Sequence, residues 1–335
     1  MNIRYKITPQ IKCYDSIGES FTPYLMRKDN GRKSFKSVST NEYGFRNTIG
    51  HDGKIVDFEK VFQEEAGDFG IILGSSAVFG TGATNDNKSI ASCLSKSSGI
   101  NWLNFGARAY NSTQELVLLC LHLKAKPKHI VIFSGVNNLT LAHLCQKTSR
   151  IYNSFFGESA FREAINTHHC PQDALIKSFK KVFCKILHKF GLLKSTTLSE
   201  LRKNIEEDYE KILNCFERDL LAISTIARGH GSSINFFMQP LATWLDKKLC
   251  NEEKELFEYL DNLNPDFKIL SEFLGFWKTK YFCDVERICK DLGVHFTNLN
   301  CSDFEGPEWL FVDRVHLTDS GYSLVANLIN RQIES

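Results

Sequence analysis

The chain has 335 residues, of which 42% are hydrophobic and 24% are charged, and its 41 basic and 39 acidic side chains leave a formal charge of +2. This balance excludes a disordered or collagen-like chain and argues against a nucleic-acid binder that depends on electrostatic attraction. Eleven scattered cysteines without a CxxC pair favour free thiols. The sequence shows neither a signal-peptide pattern nor a run of 18 apolar residues, so we expect a cytoplasmic protein.

Short apolar runs alternate with amphipathic stretches over much of the chain, which predicts alternating strands and helices. The predicted strands are Phe69–Leu73, Trp102–Phe105, His129–Ser134, Ile234–Gln239 and Val294–Asn298. The predicted helices are Asn87–Lys96, Thr113–Lys124, Ile205–Arg228, Val285–Leu292 and Ser320–Arg331. This order predicts an α/β domain with about five parallel strands and helices on both faces of the sheet.

Three parts of the chain lie outside this alternation. Residues 1–65 are rich in polar and turn-forming residues, and we interpret them as an N-terminal extension packed on the core, with a few β-strands. Residues 66–335 form the α/β domain, interrupted by two helical insertions at about 140–200 and 241–280. Insertions of that length usually cover or line a site.

A serine flanked by glycines follows the first core strand, in the segment LGSSAVFG that ends at Gly80. Ligands of open α/β sheets collect at the carboxyl ends of strands, so this serine is well placed for a nucleophile. Taken alone, the segment also fits an ordinary turn.

An Asp-x-x-His pair, Asp313 and His316, precedes the last predicted helix. At this spacing the carboxylate can fold back onto one imidazole nitrogen while the other nitrogen faces outward as a base. Taken alone, the pair also fits a solvated loop before a helix cap. Gly106 and Asn137 follow the second and third strands and offer a backbone N–H and a side-chain amide of the kind that binds an oxyanion.

Together and in this order, the four segments resemble the sequence blocks of the SGNH hydrolases, also called the GDSL-type esterase/lipase superfamily. The resemblance covers roughly residues 68–140, 230–240 and 290–335. It implies a three-layer, flavodoxin-like fold. It also implies hydrolysis of carboxylic esters through an acyl-enzyme, without a metal or an organic cofactor.

Carried over by position, the resemblance implies that Ser76 is the nucleophile and that Asp313 and His316 complete the triad. The N–H groups of Ser76 and Gly106 and the side chain of Asn137 would then bind the oxyanion.

Three positions depart from the family pattern. Ser75 replaces the usual aspartate of the first block, Ala109 stands where a second glycine is common, and Asn138 replaces an aspartate in the third block. None of these changes removes a group that the chemistry requires.

We therefore expect a serine esterase that acts on a small-molecule or glycan ester, such as an O-acetyl group on a carbohydrate, with no nucleic-acid partner. Trp244, which could stack on a sugar ring, and Asn138 are candidates for the substrate pocket, and Arg46 is a further one. The sequence leaves two alternatives open: an O-acyltransferase that uses the same triad, and a catalytically silent glycan- or lipid-binding module.

Two weaker patterns have structural interpretations as well as functional ones. The basic amphipathic stretch Ile176–Lys194 fits a peripheral membrane contact, a lid over the site or a helix packed on the core. Several histidines and cysteines match no familiar zinc spacing, so we expect no metal site at His143, Cys145, His168, His169 and Cys170.

Overall fold

The computed structural model describes residues 2–63, 67–145, 153–158, 161 and 198–334. In chain order its helices and strands are α1 (Ile3–Ile7), α2 (Ile11–Ser16), β1 (Glu19–Ser20), β2 (Lys28–Asp29), β3 (Phe69–Gly74), α3 (Ser76–Phe79), α4 (Ile90–Ser98), β4 (Asn101–Gly106), α5 (Ser112–His122), β5 (His129–Ser134), α6 (Val136–Cys145), α7 (Leu198–His230), β6 (Ser233–Met238), α8 (Asn251–Leu263), α9 (Pro265–Asp291), β7 (His295–Asn298) and α10 (Asp319–Ile333).

Five parallel strands form the central sheet in the order β4-β3-β5-β6-β7. In this register Ile72 of β3 pairs with Asn104 on one side and Val131 on the other. The second strand of the series lies outside the first, and the later strands extend the opposite edge, which is the flavodoxin-like order. The predicted fold class is therefore confirmed.

The sheet is covered on both faces, which explains why its strands are apolar throughout. Ile71 and Leu73 belong to one core cluster, with side chains from α5, α7 and α9, whereas Ile72 belongs to another, with side chains from α4 and α10. Successive side chains of a strand point to opposite faces, so each face of β3 contributes to a different layer.

Each strand of the sheet agrees with its predicted bounds to within one residue, whereas α7 and α9 begin well before their predicted starts, and most of the first insertion lies outside the described residues. The strand His129–Ser134 has the predicted bounds, whereas α9 spans 27 residues and was predicted only as Val285–Leu292. Gly275 lies inside α9, and a glycine within a helix weakens the sequence signal for it. Together, α8 and the N-terminal part of α9 therefore make most of the second insertion helical.

The N-terminal residues pack on the turn that follows α3. The hydroxyl of Tyr14 lies 2.8 and 2.7 Å from the carbonyl oxygens of Gly80 and Ala83 and shares its single hydrogen between them, and the side-chain amide of Gln10 donates to the carbonyl oxygen of Gly82 at 2.8 Å. Strand structure in this part comprises the short antiparallel pair β1–β2 and isolated bridges among the described residues.

Across the described ranges, no helix combines the length and apolar character that crossing a bilayer requires. The stretch Ile176–Lys194, for which the sequence suggested a membrane contact, lies outside the described residues.

Candidate active site

Ser76 lies at the carboxyl end of β3, where the chain turns sharply into the four-residue helix α3. A Cβ at Gly74 would lie 2.3 Å from the carbonyl oxygen of Phe133, so only glycine fits the end of this strand. Gly80 ends α3 in the left-handed region with φ of +84°. This turn leaves the Ser76 side chain half-buried at the edge where the parallel strands end.

Ser76, His316 and Asp313 form a continuous chain of hydrogen bonds. The Nε2 atom of His316 lies 2.8 Å from the Oγ of Ser76, and its Nδ1 lies 2.8 and 3.0 Å from the two carboxylate oxygens of Asp313. An ionised carboxylate only accepts hydrogen bonds, so Nδ1 carries the proton of a neutral ring. Nε2 is then free to accept the proton of the serine hydroxyl, as in a catalytic triad.

The carboxylate of Asp313 is stabilised in its ionised form. Burial raises its pKa, but two effects outweigh this and lower the pKa to about 2: the positive charge of His316 when its ring is protonated, and the hydrogen bonds from the ring and backbone N–H of His316 and the backbone N–H of Val315. The backbone N–H groups of Val315 and His316 donate to Oδ1 at 2.9 and 2.8 Å. The aspartate thus orients the imidazole and also closes the turn that carries it.

A buried ion pair supports the segment that leads into this turn. Lys247 and Glu253 are 3.2 Å apart with fully buried side chains, and the Nζ of Lys247 donates to the carbonyl oxygens of Gly306 and Glu308, each at 2.7 Å. The Oε1 of Glu253 accepts the backbone N–H groups of Leu310 and Phe311 at 3.0 and 3.1 Å. We call this pair the Lys247–Glu253 clamp.

Sequence reasoning missed the Lys247–Glu253 clamp. The one local signal was a glutamate three residues after Cys250, the spacing of a capping box. That signal predicts the start of α8 but says nothing about a contact with residues more than 50 positions later in the chain.

The oxyanion donors predicted from the sequence have different availability. The Nδ2 of Asn137 donates to the carbonyl oxygen of Tyr110 at 2.7 Å, and the second hydrogen of this amide nitrogen has no partner among the described residues. The N–H of Gly106 instead donates to the Oδ1 of Asn104 at 2.9 Å. This N–H is therefore engaged within the strand end, and the assignment of Gly106 as an oxyanion donor stays a prediction.

Gly106 has a packing role. A Cβ at this position would lie 2.2 Å from the backbone nitrogen of Phe79, so the absence of a side chain lets β4 approach α3 closely. Ala109, on the loop that follows, adopts φ of +61°, a left-handed conformation that glycine adopts more readily. This is the position at which the sequence resemblance led us to note a missing glycine.

Both residues predicted for the substrate pocket are buried. Trp244 is 1% exposed, and its indole N–H donates to the carbonyl oxygen of Leu274 at 2.9 Å, so it is a core residue. Asn138 is 3% exposed and bonds twice to Ser112, accepting from its backbone N–H and donating to its hydroxyl. Both pocket assignments are corrected, because these side chains are buried and hydrogen-bond to neighbouring residues of the core.

Arg46 is likewise buried, and it supports the turn after Ser76. Its guanidinium donates to the carbonyl oxygens of Gly80 at 2.6 Å and Ser37 at 2.8 Å, and it pairs with Asp86 at 2.9 Å. It therefore fixes the backbone behind Ser76 and does not line the site.

Among the residues that the structure describes, no group of three or more His, Cys, Asp or Glu side chains could hold a metal ion. The side chains of the five histidines and cysteines singled out in the sequence lie outside that part of the chain.

Comparison with known proteins gives a likeness of fold. No protein-family model and no curated protein matches the chain. The extracellular lipase from Streptomyces rimosus is similar over 80% of this chain and all of its own, with 12% identity and a TM-score of 0.44. The lipase/acylhydrolase from Enterococcus faecalis matches over 80% of this chain and 95% of its own, with 13% identity and a TM-score of 0.36.

An acetyl xylan esterase matches over 79% of this chain and 99% of its own, with 11% identity and a TM-score of 0.38. Lipases and lipolytic proteins described as GDSL-like or of the G-D-S-L family also occur among the similar structures. At such low identity, the chemistry of this chain depends on its own residues.

Proposed function

We propose that this protein is a serine esterase in which Ser76 is the nucleophile, His316 the general base and Asp313 the carboxylate that orients His316. The observation that carries the proposal is the hydrogen-bonded chain from the Ser76 hydroxyl through both ring nitrogens of His316 to the Asp313 carboxylate. Acyl transfer needs a nucleophile, a base and a group that fixes the base, in contact and in that order.

In the first half-reaction, the Oγ of Ser76 attacks the ester carbonyl carbon while its proton passes to the Nε2 of His316. The oxyanion is stabilised by the second amide hydrogen of Asn137 and the N–H of Ser76 at the start of α3. The carbon–oxygen bond of the ester then breaks, and the proton on Nε2 passes to the leaving alcohol.

In the second half-reaction, a water molecule attacks the acyl carbon and gives its proton to the same Nε2. The bond between the acyl carbon and the Ser76 oxygen breaks, the acid leaves, and the serine recovers its proton. The ionised Asp313 stabilises the imidazolium in both halves, since it lies 2.8 Å from Nδ1 and its low pKa keeps it charged at neutral pH.

The test is hydrolysis of para-nitrophenyl acetate by the wild type, Ser76→Ala and the matched control Ser75→Ala. Ser75 directly precedes the proposed nucleophile and is 3% exposed. The control therefore makes the same Ser→Ala change at the neighbouring position. We expect Ser76→Ala to lower kcat at least about 10³-fold and Ser75→Ala to stay within about tenfold of the wild type. Equal rates for the wild type and Ser76→Ala would refute the proposal.

A further inference from the structure

An apolar groove lies beside the proposed base. It has a volume of about 420 Å³ and reaches from α8 and α9, across the segment that follows β6, to the turn that carries Asp313 and His316. Apolar side chains form most of its wall: Leu241, Leu260, Leu263, Phe267, Leu270 and Leu274. Ligand pockets of proteins typically measure about 300–1,000 Å³, so the groove is large enough for a small ester.

The polar side chains of the groove are engaged with one another or with neighbours. Arg314 pairs with Asp261 at 2.6 Å, and the hydroxyls of Thr243 and Ser271 lie 2.7 Å apart. Arg4, which also borders the groove, pairs with Asp15 at 3.1 Å. A sugar would need hydrogen-bonding groups from these walls, whereas an alkyl chain needs only the apolar surface.

We propose that this groove binds an alkyl chain of the ester substrate, so that the protein prefers esters with a chain of several carbons over simple acetates of small alcohols. The inference depends on the proposed function, because His316 connects the groove to the reacting bond. The leaving oxygen must come within hydrogen-bond distance of His316, and an ester held there has the groove directly beside it.

The expected size of the preference follows from the burial of methylene groups. Each buried methylene is worth about 0.8 kcal/mol, or a factor of about four, so kcat/KM should rise by up to about fourfold per added carbon until the groove is filled. The chain can belong to the acid or to the alcohol. Two substrate series separate these sources: para-nitrophenyl esters from acetate to decanoate, and acetates from ethyl to decyl.

Placing a charged side chain at the mouth of the groove tests whether the groove binds the substrate chain, and it leaves the triad residues unchanged. Phe267 lies on α9, lines the groove and is 45% exposed, so Phe267→Asp should fold. Phe276 lies on the same helix outside the groove and is 51% exposed, which makes Phe276→Asp the matched control. We expect Phe267→Asp to lower the longest-to-shortest ratio of kcat/KM by at least about tenfold. Phe276→Asp should keep the wild-type ratio.

A flat response in both series, or the same ratio in Phe267→Asp and Phe276→Asp, would overturn the inference. Calorimetric titration with 1-octanol is a second readout that needs no turnover. If the wild type hydrolyses nothing but binds octanol, and Phe267→Asp weakens that binding at least about tenfold, the groove assignment holds and the proposed function fails. If the wild type binds no octanol, the groove assignment fails whatever the esterase activity.

Discussion

Replacing Asp313 by asparagine tests the proposed tautomer of His316 with little change in shape. The Oδ1 of Asp313 accepts the backbone N–H groups of Val315 and His316, and an asparagine oxygen can keep both bonds. The amide NH₂ then takes the place of Oδ2, which lies 2.8 Å from Nδ1 of His316. Facing a donor, Nδ1 loses its proton, and the ring carries its proton on Nε2.

In that tautomer Nε2 cannot accept the proton of Ser76, so chemistry should slow sharply while substrate binding stays. A wrong tautomer costs about 10⁴ in kcat in the triad of serine proteases, and we expect a loss of that order with KM changed less than about threefold. The shift of the Asp313 pKa from 3.8 to about 2 corresponds to about 2.4 kcal/mol, which sets the order of magnitude of the expected loss of unfolding free energy.

The assay is kcat and KM for para-nitrophenyl acetate, with urea unfolding of the same samples. Asp291→Asn, a change at a carboxylate whose side chain is 56% exposed, controls for loss of one negative charge. If Asp313→Asn kept kcat within about tenfold of the wild type while folding normally, the orienting role of Asp313 would be refuted.

Three further predictions concern the oxyanion, the clamp and acid stability. Asn137→Ala should lower kcat by about 10²–10³ in ester hydrolysis, and a loss below about fivefold would remove this residue from the oxyanion site. Glu253→Gln leaves Lys247 buried without its counter-ion, so urea unfolding should show a loss of about 3–5 kcal/mol; a loss under about 1 kcal/mol would contradict the clamp. The pKa of Asp313 is lower in the folded protein than in the unfolded chain. Its contribution to the free energy of unfolding is therefore fully present above about pH 3.8 and is lost as the pH falls through about 2. Unfolding free energy measured over that window should therefore fall less steeply in Asp313→Asn than in the wild type.

Much of the fold was predictable because a strand that is buried on both faces of the sheet has a continuous run of apolar residues. The run Phe69–Leu73 is apolar because the two faces of β3 enter different clusters, and the same holds for His129–Ser134. The strand ends then bring Ser76 and Asn137 to one edge of the sheet, while the Asp-x-x-His turn comes to the same edge from 240 residues away. Strand order predicts that the strand ends meet at one edge, whereas the pairing of Ser76 with the Asp-x-x-His turn was an expectation from the family resemblance.

The features that the sequence did not predict depend on contacts that no periodic pattern of residues indicates. Trp244 follows a strand end, where an aromatic side chain fits a pocket and a core equally well, and the partner that decides is Leu274 on another helix. The N–H of Gly106 is taken by a side chain two residues earlier, a choice of rotamer that spacing does not specify. The Lys247–Glu253 clamp and the apolar groove both arise where the second insertion meets the Asp-x-x-His turn.

The most direct test of the central claim is to locate the adduct that a fluorophosphonate forms with the folded protein. Such a reagent reacts with a serine activated by a neighbouring base, so proteolysis and mass spectrometry should find the phosphonyl group on Ser76. Labelling should fall with His316→Ala and persist with Ser75→Ala. An adduct on another residue, or no adduct on a protein that is fully folded, would contradict the account.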